Sequence, residues 1–136
     1  MDVDKKIEML NKYRSKQELN FGVEFKKNKD EIFAEFTVKE DMLQPFGMLH
    51  GGVTASIGEG VASIMANIIV APQSYAVGQS LNVNHVRSAS LGDLVTVELE
   101  AVHQGRSSHV WRVNFLKGQQ LLSSLTMTMA ILLKKK

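Results

Sequence analysis

The spacing of apolar positions changes period along the 136-residue chain, and each change marks an element. Between Asp4 and about Arg14, Ile7 and Leu10, with Met9 and Tyr13 less regularly, recur at helical spacing and predict a short amphipathic helix within residues 1–18. Phe21, Val23 and Phe25 then alternate, KKNKD intervenes, and Ile32, Ala34, Phe36 and Val38 alternate again, as in a hairpin. After the proline- and glycine-punctuated stretch QPFGMLHGG (Gln44 to Gly52), Val53, Ile57, Val61, Ile64 and Ile68 form an apolar stripe that predicts a helix over residues 53–70, closed by Pro72. From Tyr75 onward the period is two. Strands are predicted around Leu81–Val86, Val95–Ala101, Ser108–Leu116 and Leu121–Leu132, with LGD (Leu91 to Asp93) and KGQQ (Lys117 to Gln120) as turns.

Short turns between the last four strands imply antiparallel neighbours, because parallel pairing needs long crossovers. The sheet must bury one face, and the central helix is the only large apolar element available to it. The expected fold class is therefore α+β, an antiparallel sheet curved around one long helix, in a single domain spanning residues 1–136. The helix face turned away from the sheet would need a second chain to cover it, so a homo-oligomer is expected.

Composition narrows the functional classes. With 44% hydrophobic and 22% charged residues and a net charge of +2, the chain has no field that calls for nucleic acid or an acidic membrane. The lysines of KKNK (Lys26 to Lys29) and of the terminal KKK (Lys134 to Lys136) read as solvated charge. The absence of cysteine removes disulfides, thiolate metal sites and a Cys nucleophile. MDVDKKIEML lacks the apolar core of a signal peptide, and no window approaches the roughly 20 apolar residues of a membrane span. A soluble, cytoplasmic protein with no membrane partner is expected. His50, His85, His103 and His109 show none of the short spacings of metal ligands, so neither a metal nor another cofactor is expected. His103 and His109 read as strand-end or interface residues, and Met127 and Met129 as core or interface filler.

One feature of the central helix points to chemistry. Ser56, Glu59, Ser63 and Asn67 fall three and four residues apart, a polar stripe beside the apolar one. Gly51 and Gly52 stand at the helix entrance, where unpaired N–H groups and the positive dipole end can receive a developing oxyanion, and where a Cβ would block close approach. A carboxylate on the helix and N–H donors at its mouth are the parts that ester or thioester hydrolysis needs. The same letters would also describe a solvent-facing Glu59 and a plain helix-entry turn. HQGRSS (His103 to Ser108) likewise reads either as a phosphate cradle through Arg106 and the serines or as a polar hairpin loop.

The stretches QPFGMLHGG and HGGVTASIGEGVASIMAN and the later LNVNHVRSA (Leu81 to Ala89) resemble the hotdog-fold acyl-CoA thioesterases. The resemblance spans roughly residues 30 to 133 and is nearest to the 4-hydroxybenzoyl-CoA and phenylacetate-pathway type with a catalytic Glu, within it to 1,4-dihydroxy-2-naphthoyl-CoA thioesterases of menaquinone synthesis. It implies a long helix wrapped by an antiparallel sheet. It also implies hydrolysis of an aromatic acyl-CoA, with a medium-chain aliphatic acyl-CoA or non-catalytic acyl-CoA binding as alternatives. By the same resemblance Glu59 matches the nucleophile or general base and Gly51 the oxyanion donor. Gln44 matches an amide that positions the thioester or the water, and His50 a histidine near the sulfur. Ser63 matches a hydroxyl beside the acid or acyl group, while His85, Arg87, Arg106 and Ser107 correspond to residues that hold CoA or line the acyl pocket. In that family each site draws on two subunits, and dimers often pair into tetramers. A hotdog hydratase is disfavoured because no Asp follows close behind His50. An acyl-CoA-binding regulator would lack the acid and carry a DNA-binding domain.

Overall fold

The computed structural model describes residues 1–135; Lys136, the end of the terminal lysine run, lies outside the described residues. Two short helices, α1 (Val3–Lys12) and α2 (Lys16–Asn20), precede a hairpin of β1 (Glu24–Asn28) and β2 (Glu31–Thr37). A 3-10 turn at Glu40–Met42 leads to α3 (Gly51–Val70), followed by β3 (Ser74–His85), β4 (Leu94–Gln104), β5 (Ser108–Lys117) and β6 (Gln120–Leu133). The strands form one antiparallel sheet in the order β1-β2-β4-β5-β6-β3.

The expected α+β architecture is present: the sheet packs its apolar face on the long helix. Ile57, Val61 and Ile64 of the apolar stripe are buried with Ala62 and Met65, facing Val113 and Phe115 of β5 and Leu125, Met127 and Met129 of β6. At Gly58 the helix lies tightly against the sheet. A Cβ there would lie 2.7 Å from Leu125 Cδ1 and 3.1 Å from Phe115 Cζ, so the missing side chain is what allows the approach. By length and apolar content α3 could also span a bilayer, contrary to the reading that no such segment stands out; here its apolar side is spent on the sheet.

The N-terminal helix is two helices rather than one. Tyr13 caps the first, and Ser15 starts the second, with the Glu18 carboxylate reaching back to the Ser15 N–H at 3.0 Å and to its hydroxyl at 2.9 Å. Both helices are fixed to the body. Leu10 is fully buried. The Asn11 amide exchanges two bonds with the Phe25 backbone, at 3.0 and 2.8 Å, and Arg14 Nη1 donates to the Val23 carbonyl at 2.9 Å.

The turn at Leu91 to Asp93 does not join neighbouring strands as expected. β2 already occupies one side of β4 and β5 the other, so β3 crosses to the far edge and pairs with β6. This leaves 12 residues of β3 with an unpaired edge, including exposed Val77 and Leu81. The opposite edge, β1, is short and guarded by Lys26 and Lys27, which pair with Glu35 and Asp4.

His109 is a core residue rather than a strand-end or interface residue, with 2% of its surface exposed. Its Nδ1 accepts from Trp111 Nε1 at 3.2 Å, which fixes the neutral ring with its proton on Nε2. Burial first, then the nearby His103, pushes its pKa below the ordinary 6.5. The folded state therefore prefers the uncharged ring. The stability this contributes is complete above the ordinary pKa and is lost as pH falls through the depressed value. We expect the melting temperature to drop on acidification below about pH 6.5 and the drop to be shallower in His109→Gln. Parallel slopes for both proteins in melts across this range would remove His109 as the cause.

Candidate active site

Helix α3 begins two residues earlier than its apolar stripe, because His50 caps it. The His50 side chain accepts from the Gly52 N–H through Nδ1 at 2.9 Å. That bond leaves the His50 proton on Nε2, directed away from the helix end. Among the described residues no acceptor pairs with the Gly51 N–H, while Val53 and Thr54 donate to the His50 carbonyl. Gly51 must be a glycine: a Cβ would sit 2.7 Å from Nε2 of His85, whose other nitrogen lies 2.7 Å from the Ser123 hydroxyl. Gln44, on the turn before the helix, accepts the Phe46 N–H with its side-chain oxygen, so its amide NH2 is available as a donor. Arg87 Nη1 donates to the Leu121 carbonyl at 3.0 Å. Gln44, Gly51, His85 and Arg87 line one cavity of about 180 Å³, with exposed His50 beside it at the helix cap.

Glu59 and Ser63 lie elsewhere. Together with Ser56 and Asn67, the whole polar stripe lines a second, open pocket of about 590 Å³, bordered on its outer side by α1 and α2, with Glu59 exposed to solvent within it. The Glu59 carboxylate lies over Gly78 of β3, where a Cβ would come within 2.6 Å of Oε2 and 2.9 Å of Met127 Cε. No hydrogen bond within the described residues engages that carboxylate, whereas Asn67 is fully committed to the Ser63 carbonyl and to both backbone groups of Ala76. Gly78 was not singled out from the sequence, although a glycine inside a strand signals close approach. It sits at a register shift between Gly78 and Ser80.

The candidates thus fall into separate groups. Gly51 and Glu59 are eight residues apart on one helix, about 12 Å along its axis. A carbonyl group that touches one cannot touch the other. Arg106 and Ser107 stand further off, exposed on the β4–β5 turn. Ser108 beside them pairs with Ala130, while His85 pairs with Ser123; seven residues of β6 put these points about 23 Å apart. The turn is therefore remote from the Gly51 corner but lies at the Glu59 end of the sheet, where Ala130 and Met129 of β6 pair with Ser108 and His109 on one side and with Val77 and Gly78 on the other. Among the described residues no group of three or more His, Asp or Glu side chains could hold a metal.

A family model described as the thioesterase superfamily matches residues 46–124. Over 109 residues the chain is 37% identical to 1,4-dihydroxy-2-naphthoyl-CoA hydrolase of Listeria monocytogenes, covering 79% of this chain and 88% of that protein. It superposes on thioesterase PA1618 of Pseudomonas aeruginosa, crystallised with a glutamine changed to alanine, with a TM-score of 0.86 and 30% identity over 94% of each chain. It is also similar to the Staphylococcus aureus protein SAV0944, with a TM-score of 0.77 and 31% identity over 86% of this chain and 98% of that one. That protein has been crystallised with a glutamate changed to alanine and, as a thioesterase, with a glutamine changed to alanine fifteen positions earlier. The sheet wrapped around one long helix is the hotdog thioesterase fold.

Gly78→Ala is expected to displace the Glu59 carboxylate without straining the backbone, since Gly78 is not among the glycines with positive φ. Any turnover that runs through Glu59 should fall by about 100-fold, the scale of a misplaced reacting group, with the melting temperature nearly unchanged. Full activity in this variant would show that Glu59 works from another position.

Proposed function

We propose that this chain, which belongs to the thioesterase superfamily and is an acyl-CoA thioester hydrolase, cleaves an aromatic acyl-CoA, 1,4-dihydroxy-2-naphthoyl-CoA or a hydroxybenzoyl-CoA, to the free acid and CoA. The observation that carries the reading is the separation of two half-sites: N–H and amide donors at Gly51 and Gln44, and an uncommitted carboxylate at Glu59 over a bare Gly78. The similarity to a hydrolase of 1,4-dihydroxy-2-naphthoyl-CoA favours the aromatic acyl group and a place in menaquinone synthesis. The fifteen-residue separation of the altered glutamine and glutamate in SAV0944 equals that of Gln44 and Glu59, which supports treating these two as a working pair.

Two copies complete the site. The long unpaired edge of β3 invites its own copy in antiparallel pairing. Pairing centred between Leu81 and Asn82 sets His85 of one copy opposite Gly78 of the other, and so brings the Gly51 corner of one subunit to the Glu59 carboxylate of its neighbour. The thioester oxygen lies at the Gly51 N–H and the Gln44 amide, where charge builds as the carbonyl carbon becomes tetrahedral. Glu59 either attacks that carbon to form a mixed anhydride, which water then opens to the free acid and regenerated carboxylate, or takes a proton from the water that attacks. The C–S bond breaks as the tetrahedral centre collapses, and the CoA thiolate, leaving near the His50 Nε2–H, takes up a proton to depart as the thiol. Ser63, one turn beyond Glu59, meets the acyl group, while His85 and Arg87 border the donor corner and Arg106 and Ser107 serve CoA from the β4–β5 turn. Such dimers pair further into a tetramer in the cytoplasm, where a cysteine-free chain loses nothing to a reducing milieu.

Glu59→Gln is expected to keep the fold and to lower kcat by roughly 100-fold or more on these aryl-CoA substrates. Near-normal turnover would take Glu59 out of the mechanism, and a higher kcat/KM for octanoyl-CoA than for the aryl thioesters would move the substrate class to aliphatic. The shared site has its own test. Glu59→Ala and Gln44→Ala chains, each inactive, should regain part of the activity when their subunits exchange, because one site of each hybrid dimer holds both intact groups. Hybrids confirmed by mass and as inactive as their parents would refute sharing.

A further inference from the structure

The 590 Å³ pocket at Glu59 is lined on its outer side by residues that lie outside the matched family region, which begins at residue 46. From α1 come Met9 and Tyr13, four residues apart and so on one helix face; from α2 comes Gln17, which donates to the Ser56 hydroxyl one turn before Glu59. Across from them α3 presents Ile64 and Ile68 beyond the Ser63 hydroxyl. The pocket therefore sets the apolar side chains of Met9, Tyr13, Ile64 and Ile68 among polar groups, with Asn67, Ser74 and Lys134 at its far end. Its volume suits a small organic group.

Tyr13 is the unusual part of this wall. The residue is 58% exposed in the chain, although it stands at the boundary of a pocket and on an arm that is otherwise anchored. The anchoring does not depend on the ring: Leu10, the Asn11–Phe25 pair, the Arg14–Val23 bond and the Glu18 carboxylate against Gly60 hold α1 and α2 in place. A fixed backbone carrying an uncovered aromatic face is a preorganised surface for a flat group, which would stack on it without the cost of ordering a loop. Tied to the body at these points, the arm serves as a wall of the pocket.

We propose that the α1–α2 arm is the acyl selector of this enzyme, with the Tyr13 ring and Met9 gripping an aryl group against Ile64 and Ile68 while its carbonyl points to Glu59. The assignment rests on the thioesterase reading of the Glu59 pocket, but a binding measurement separates the two. The probes are the non-hydrolysable thioethers S-naphthylmethyl-CoA and S-octyl-CoA, titrated into the full-length protein, beside kcat/KM for the naphthoyl and octanoyl thioesters. Tyr13→Ala is expected to lower the preference for the aryl over the alkyl thioether by about tenfold, the scale of one pocket contact, while Tyr13→Phe keeps it. Since the ring is mostly exposed, the variant should melt like the parent. An unchanged preference in Tyr13→Ala, or an equal loss for both probes, overturns the selector. A shifted binding preference in a protein that hydrolyses neither thioester would uphold the selector and sink the hydrolase reading instead.

Discussion

Everything in this structure depends on the seat of α3 against the sheet at Gly58. The missing side chain lets the helix lie close to Phe115 and Leu125, and that approach buries the Ile57, Val61 and Ile64 stripe. Once that face is fixed, the faces of the remaining residues follow from the helical period. Glu59, next to Gly58, is turned to the sheet margin and lands on β3; Ser56, Ser63 and Asn67 follow it along the same stripe. A helix cannot bend its two ends together, so Gly51 and Glu59 stay about 12 Å apart. The rigidity that positions each group also keeps one chain from using both on one carbonyl.

The edge strand answers that constraint. In most sheets a 12-residue edge with exposed Val77 and Leu81 is a hazard that charge or shortening suppresses, as Lys26 and Lys27 do on β1. On β3 the edge is left open, and it is the strand that carries Gly78 under Glu59 and His85 over Gly51. Both proposed half-sites therefore border the same open edge strand. In the proposed dimer, assembly and chemistry would share that strand.

Much of this was legible in the chain because it depends on periodicity. The apolar stripe of α3, the inward faces of β5 and β6, and the polar stripe holding Glu59 follow from spacings of 3.6 and 2, which burial enforces. What depends on pairing between distant segments was not legible. The turn at Leu91 to Asp93 has hairpin letters, yet β2 competes for the same side of β4 and wins, which sends β3 to the edge. His109 looks like any strand histidine until Trp111 supplies the donor that lets it stay buried and neutral. The break at Tyr13 to Ser15 was hidden because helical residues flank it on both sides. Gln44, Gly51, His85 and Arg87 were carried by the motif resemblance and do share a cavity, whereas Arg106 and Ser107 sit at the other end of the sheet, a distance that no sequence spacing reveals.

The pocket divides its tasks between parts of the chain with different constraints. The side of the site that faces the reacting atoms is built on α3 and β3, where a single methyl group at Gly51 or Gly78 would collide with His85 or Glu59. Change there is costly. The opposite wall hangs on a helix pair whose position is set by Leu10, Asn11, Arg14 and Glu18, none of which needs to touch an acyl group. Tyr13, mostly exposed, can therefore vary without moving the carboxylate, because the anchoring bonds of the arm do not involve its ring. A fold arranged in this way can hold one hydrolytic centre constant and still fit many acyl groups, provided that specificity is written on the arm and reactivity on the helix.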